Sequence, residues 1–257
     1  MTRPRRGALA PRAWRAWLVA ALILAWAAAP IEATAQVAYA FEAGAPASTS
    51  GADAALAAWD GSVNLYRIGV FSTQKTWYYC TAADVQIMRN MKYDRTDHSS
   101  AAQSRYFWWM RARNKYSLPL SAGVDPAGWT AGLRYFVDKR YTLMSSATFL
   151  GALRLAVVRM RLTNLPVAIA VAHGDHGWVL HGFTSTADPA KTNDFRITSV
   201  RVSGPLWGLK NSTFGYDMPP NKKLYPYELA KFFTPWRYAP KRMIWDGRFV
   251  SIQPMPT

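Results

Sequence analysis

The chain has 257 residues, with 31 Lys and Arg against 15 Asp and Glu, 50% hydrophobic and 14% aromatic residues, and a single cysteine. This excludes disordered, collagen-like and disulfide-stapled classes, and charged residues at 18%, below the ~25% of average proteins, call for a real core. The formal net charge of +16 favours anionic surroundings.

Residues 1–35 read as an export signal rather than as fold. Arg3, Arg5, Arg6, Arg12 and Arg15 make a basic head, residues 16–29 (AWLVAALILAWAAA) carry no charge before Pro30, and Ala33-Thr34-Ala35 supplies an A-x-A cleavage site ahead of Gln36. The apolar stretch falls short of the roughly 20 residues a helix needs to cross a bilayer, so no stable membrane span is expected after signal cleavage. The expected location is therefore secreted or cell envelope. Cleavage removes five Arg and Glu32 and leaves the mature chain strongly basic. Its basic residues are scattered, in groups no denser than Arg111-Ala-Arg113 or Lys222-Lys223, so the charge suits anionic cell-envelope polymers and no nucleic-acid partner is expected.

Residues 36–61 are rich in Ala, Gly and Ser and read as a leader, with Trp59 able to pack; residues 62–257 read as one domain without repeat or linker. Within it, residues 63–71 alternate as a strand. Residues 81–93 lack Gly and Pro and place Ala83, Ile87 and Met91 four apart, as an amphipathic helix requires, with Cys80 at its start. Ser100 with Gln103 resembles a capping box for a helix through Asn114, Asp125-Pro126 starts a third helix to about Asp138, and residues 148–162 give a fourth. After Pro166 the period becomes two. Residues 167–172, 178–183 and 195–202 read as consecutive antiparallel strands, the first pair joined by a two-residue turn at Gly174-Asp175. A helix over 226–233 and a strand over 248–252 close the domain. Helices first and sheet second make the fold class α+β.

An exported protein normally pairs its thiols, so the lone Cys80 is either a buried hydrophobe or chemically useful. At a helix start, unsatisfied N–H groups and the macrodipole favour a thiolate. Asp84, one turn further in, adds a like charge and so demands an imidazolium partner. Three of the four histidines, His173, His176 and His181, cluster on the strand pair, and a strand beginning at His176 delivers an imidazole rigidly. Gln74, six residues before Cys80, is placed to donate to an oxyanion beside the Cys80 N–H.

With these residues in view, the chain resembles the papain-like cysteine peptidases, most closely the bacteriocin-processing (double-glycine leader) peptidase family and its secreted relatives. The carriers are Gln74-Lys-Thr-Trp-Tyr-Tyr-Cys80-Thr-Ala-Ala and His176-Gly-Trp-Val-Leu-His-Gly182-Phe183. The resemblance spans about residues 62–206. It implies a papain-like fold, a helical N-terminal half carrying the Cys packed on an antiparallel sheet carrying the His. It also implies Cys80 as nucleophile, His176 as general base and acid, and Gln74 in the oxyanion hole. The family's Asp, less often Asn, before a proline on the next strand falls at Gly204 here, which leaves Ser203, Asp175 or a backbone carbonyl to orient the imidazole.

A metal is not called for: His173 and His176 face each other across the expected turn, but a period of two puts His181 on the opposite face. Most of the 12 tryptophans belong to a core, whereas Trp77 and Trp178, each within three residues of a catalytic candidate, are assigned to the substrate cleft. The leading expectation is a secreted hydrolase of peptide or amide bonds acting through a thioester, without cofactor. The alternatives are an inactive module binding anionic envelope components and a thiol acyltransferase on the same scaffold.

Overall fold

A computed structural model describes residues 58–209, 217–238 and 242–256. The expected export signal, and the expected leader up to residue 57, lie outside the described residues. The element order is β1 (Ser62–Asn64), α1 (Cys80–Tyr93), α2 (Ser100–Arg111), α3 (Pro126–Phe136), β2 (Tyr141–Ser146), α4 (Phe149–Thr163), β3 (Val167–Val171), β4 (His176–Ser185), β5 (Ile197–Ser203), β6 (Lys222–Leu224), α5 (Pro226–Leu229) and β7 (Phe249–Pro254). The seven strands form one antiparallel sheet in the order β2-β7-β3-β4-β5-β6, with β1 on β4. This is an α+β fold. No helix among the described residues is long and apolar enough to cross a membrane.

The helix starts follow local chemistry. Ser99, Asp125 and Thr148 each accept a hydrogen bond from a backbone N–H three residues on, at Ala102, Gly128 and Gly151. The cap of α2 is thus Ser99 rather than Ser100. The Gln103 side chain is instead buried against Gln86, Ser72 and the backbone of Thr73 and Lys75.

Alternation along β3 and β4 divides the core in two. Ala168, Ala170 and Val179 pack with α1, α2 and α3, while Val167, Ile169, Val171, Trp178 and Leu180 pack with α4. The helix α1 is buried along most of its length, polar residues included, because it lies under β4 with α2 and α3 against it. Its Asn90 amide donates to Val70 O, and Gln103 of α2 holds Thr73 O and Lys75 N. Side chains therefore satisfy a backbone that would otherwise need a neighbouring strand. For that reason the strand expected over 63–71 ends at Asn64.

Two strands were not anticipated. The strand β2 pairs along its whole length with β7, which brings the chain's last strand between β2 and β3. The edge strand β6 carries Lys222 and Lys223, charges that discourage pairing with another chain. The helix expected over 226–233 regularises only as Pro226–Leu229. Ahead of β1, Trp59 stacks on Phe183 at 5.8 Å, so the end of the expected leader joins the domain's packing.

Candidate active site

Cys80 opens α1 and is partly exposed. No side chain caps this helix, so its first N–H groups remain available at the sulfur. The preceding turn is braced by Gln74, which is fully buried: its backbone N–H donates to Pro205 O at 2.8 Å, and its amide donates to Thr76 O at 2.7 Å and Trp77 O at 3.0 Å. Both Gln74 amide protons are engaged in shaping the turn that presents Cys80.

His176 begins β4 and pairs with Val171, so the β3–β4 link has four residues, not the two expected. Ala172, His173 and Gly174 all take positive φ (51°, 60° and 95°). The turn is tied to the segment after α5 by Ala172 N–H to Phe232 O, His173 N–H to Thr234 Oγ1 and Arg237 N–H to His173 O. These ties hold a left-handed backbone that Ala and His rarely adopt alone. They also turn His173 outward, where its Nδ1 meets Pro235 O at 3.1 Å and not His176.

The His176 ring is buried, and its Nε2 lies 3.3 Å from Oδ1 of Asp217, also buried. His176 and Cys80 line one small recess, and with Nε2 turned to Asp217 the other ring nitrogen, Nδ1, is the one left for the sulfur. Burial pulls the imidazole pKa down, but the hydrogen bonds and charges of Asp217 and Cys80 outweigh it and push the pKa up to about 10. The imidazolium therefore persists at neutral pH.

Asp217 is the residue that sequence reasoning missed. A Cβ built on Gly204 would fall on the Asp217 carboxylate, and Gly204 N–H donates to Met218 O at 2.9 Å. The chain leaves β5 at Gly204-Pro205 and returns to the same spot at Asp217, so the carboxylate occupies the space of the absent side chain. One signal was available: Asp217 is the only acidic residue between Asp194 and Glu228, and Pro219-Pro220 follows it closely.

The other candidates for orienting the imidazole are placed differently. The Ser203 hydroxyl bonds His181 Nε2 at 3.0 Å and accepts from Asn221 N–H at 3.1 Å, so it serves His181. Burial drives the His181 pKa down to about 3, making it a neutral core histidine. Asp175 lies beside the site at the cavity wall, while Asp217 makes the bond to Nε2.

Asp84 differs from the expectation that it opposes a thiolate with a like charge. It is fully buried, and burial first, then the negative charges of Cys80 and Asp217, raise its pKa well above the carboxylate range despite His176. This carboxyl, held towards its protonated form, lies against Gly177 and Trp129, where a Cβ on Gly177 would collide with it.

Beside the pair opens a cavity of about 540 Å³ whose wall includes Trp77, His176, Asp175, Leu206, Trp236 and Tyr238. Trp77 is half exposed on it. Trp178 is not in the cleft: alternation along β4 turns its indole into the α4 face of the core, fully buried, with its ring 5.1 Å from Phe232. No cluster of three metal-ligating side chains occurs among the described residues.

Neither protein-family models, nor curated proteins, nor solved structures give a match to this chain.

Proposed function

We propose that this protein is an exported, cysteine-dependent hydrolase of peptide or amide bonds, built on a papain-like arrangement. The observation that carries the reading is the Cys80–His176–Asp217 series, with thiol and imidazole lining one recess and the ring's Nε2 held by a buried carboxylate. Nucleophile, base and orienting group in that order are the parts of acyl transfer. The basic head, apolar stretch and A-x-A site of residues 1–35 support export.

In this mechanism the Cys80 thiolate attacks the carbonyl carbon, forming an S–C bond and moving the π electrons onto oxygen. The free N–H groups at the start of α1 stabilise that oxyanion. Collapse breaks the C–N bond as His176 gives its Nδ1 proton to the departing amine, leaving a thioester. Two of the influences that raise the His176 pKa come from Cys80, so acylation removes them, lowers that pKa and lets the imidazole stay neutral, the form that can accept a proton. It then takes a proton from water, whose oxygen attacks the thioester and releases the acid and the thiol. Asp217 holds Nε2–H throughout and stabilises the imidazolium.

Iodoacetamide labelling tests this reading, because Cys80 is the only sulfhydryl in the chain. Rapid alkylation is expected at pH 7, slowed by about tenfold or more in His176→Ala. A rate equal to that of free cysteine, unchanged by the substitution, overturns it.

A further inference from the structure

Counting charges around the cleft gives a result opposite to the charge of the chain. The protein has 31 Lys and Arg against 15 Asp and Glu, yet among the described residues no Lys or Arg lines the 540 Å³ cavity or the small recess holding Cys80. The cavity's carboxylates are Asp125 and Asp175, against the single positive charge of the His176 imidazolium among its described lining residues. Asp125 is committed to structure: Oδ1 accepts from Gly128 N–H at 2.9 Å and Oδ2 from Tyr116 N–H at 2.9 Å.

Asp175 is different. Its side chain makes no hydrogen bond or ion pair among the described residues, while its backbone N–H is fixed to Ala172 O at 3.1 Å in the tethered turn. It immediately precedes His176, and the aromatic rings of Trp77, Trp236 and Tyr238 share its cavity. The side chain is exposed at the cavity mouth, and partial desolvation still raises its pKa, with the charge of His173 opposing. Arg237 and Arg242 line a neighbouring pocket that shares Trp236, not this one. An acid beside aromatic faces in a cleft that no Lys or Arg lines among the described residues is the arrangement that recognises an organic cation on an apolar stem, by charge and by cation–π attraction.

We propose that Asp175 and the aromatic wall make the cleft selective for cationic substrates, peptides or amides bearing an ammonium or guanidinium group next to the scissile bond. This rests on the hydrolase reading above for the reaction, but the charge preference can be measured separately. The basic exterior then keeps the enzyme in anionic surroundings while the cleft selects positive groups.

The test compares three alkylating reagents on Cys80 at low salt: 2-bromoethylammonium (cationic), iodoacetate (anionic) and iodoacetamide (neutral), each normalised to free cysteine. The expected cation-to-anion rate ratio exceeds that of free cysteine by about tenfold. It falls about fivefold in Asp175→Asn and recovers in Asp175→Glu, the size expected for one nearby charge. In a second arm, Nα-acetyl-lysinamide protects Cys80 from iodoacetamide saturably, whereas Nα-acetyl-glutamine amide does not. A ratio that Asp175→Asn leaves unaltered, or equal protection by both amides, overturns the proposal. The iodoacetamide rate alone judges the hydrolase reading, so a slow neutral reaction with a large charge ratio would sink that reading and leave the cationic cleft standing.

Discussion

The carboxylate of Asp217 occupies the space that any side chain on Gly204 would need, and from there it reaches Nε2 of His176 at 3.3 Å. The absence of a Cβ at 204 and the presence of an acid at 217 are thus two halves of one device. Gly204 N–H to Met218 O, at 2.9 Å, fastens the returning segment.

Replacing Gly204 by Ala should therefore act on the site and not only on the fold. The added methyl displaces Asp217 and leaves the imidazole with the sulfur as its one strong partner. Iodoacetamide labelling at pH 7 is expected to slow about tenfold, and Asp217→Ala should slow it by a similar factor, with the double variant no slower than either. Additive losses in the double variant would show that the two residues do not share one role.

Asp84 gives a prediction about stability against pH. Its folded pKa is raised well above the unfolded value near 3.9, so the native state holds a proton that the unfolded chain has released. Stability is then lost as pH rises above about 4, until the folded group itself ionises. Asp84→Asn removes this dependence. Urea unfolding at pH 5 and pH 8 should show a variant-minus-parent difference that grows towards pH 8; a constant difference means the buried acid is not neutral.

His181 works in the reverse direction. Its pKa lies near 3 in the folded state and near 6.5 when unfolded, so the unfolded chain binds a proton that the native state refuses. Its contribution to stability is full above pH 6.5 and declines as pH falls towards 3. Thermal unfolding of His181→Gln should show a shallower drop in Tm between pH 7 and pH 4.5 than the parent shows. Parallel curves would refute the assignment.

Arg161 and Asp188 form a buried pair with Nε and Nη2 each 3.0 Å from a carboxylate oxygen, both side chains under one-tenth exposed. Such a pair is costly to break because it removes the counter-charge of a buried ion. Asp188→Asn is expected to cost about 3–5 kcal/mol by denaturant titration, with much less cost if Arg161 is also replaced by Met. A loss under about 1 kcal/mol in the single variant would mean water reaches the guanidinium.

The parts of this site that were legible in the sequence are those set by neighbours along the chain. Asp125 and Thr148 cap α3 and α4 because a short side chain reaches an N–H three residues away. Cys80 heads α1 because helix-forming residues follow it without interruption, and His176 lies at a strand start because alternating apolar residues run on from it. The turn before His176 was misjudged because its left-handed backbone is held by Phe232, Thr234 and Arg237, residues far ahead in the chain. Trp178 was misplaced because proximity to His176 in sequence does not decide which sheet face an indole enters.

The sequence by itself determined the α+β class, the helix starts and the positions of one thiol and one imidazole, since capping, periodicity and composition act over a few residues. Only the tertiary structure decided that Asp217 meets that imidazole, that Asp84 is held towards its protonated form and that Asp175 lines the cleft without a side-chain hydrogen bond among the described residues. Each depends on desolvation or on a long-range return of the chain, and these exist only when distant segments exclude water together.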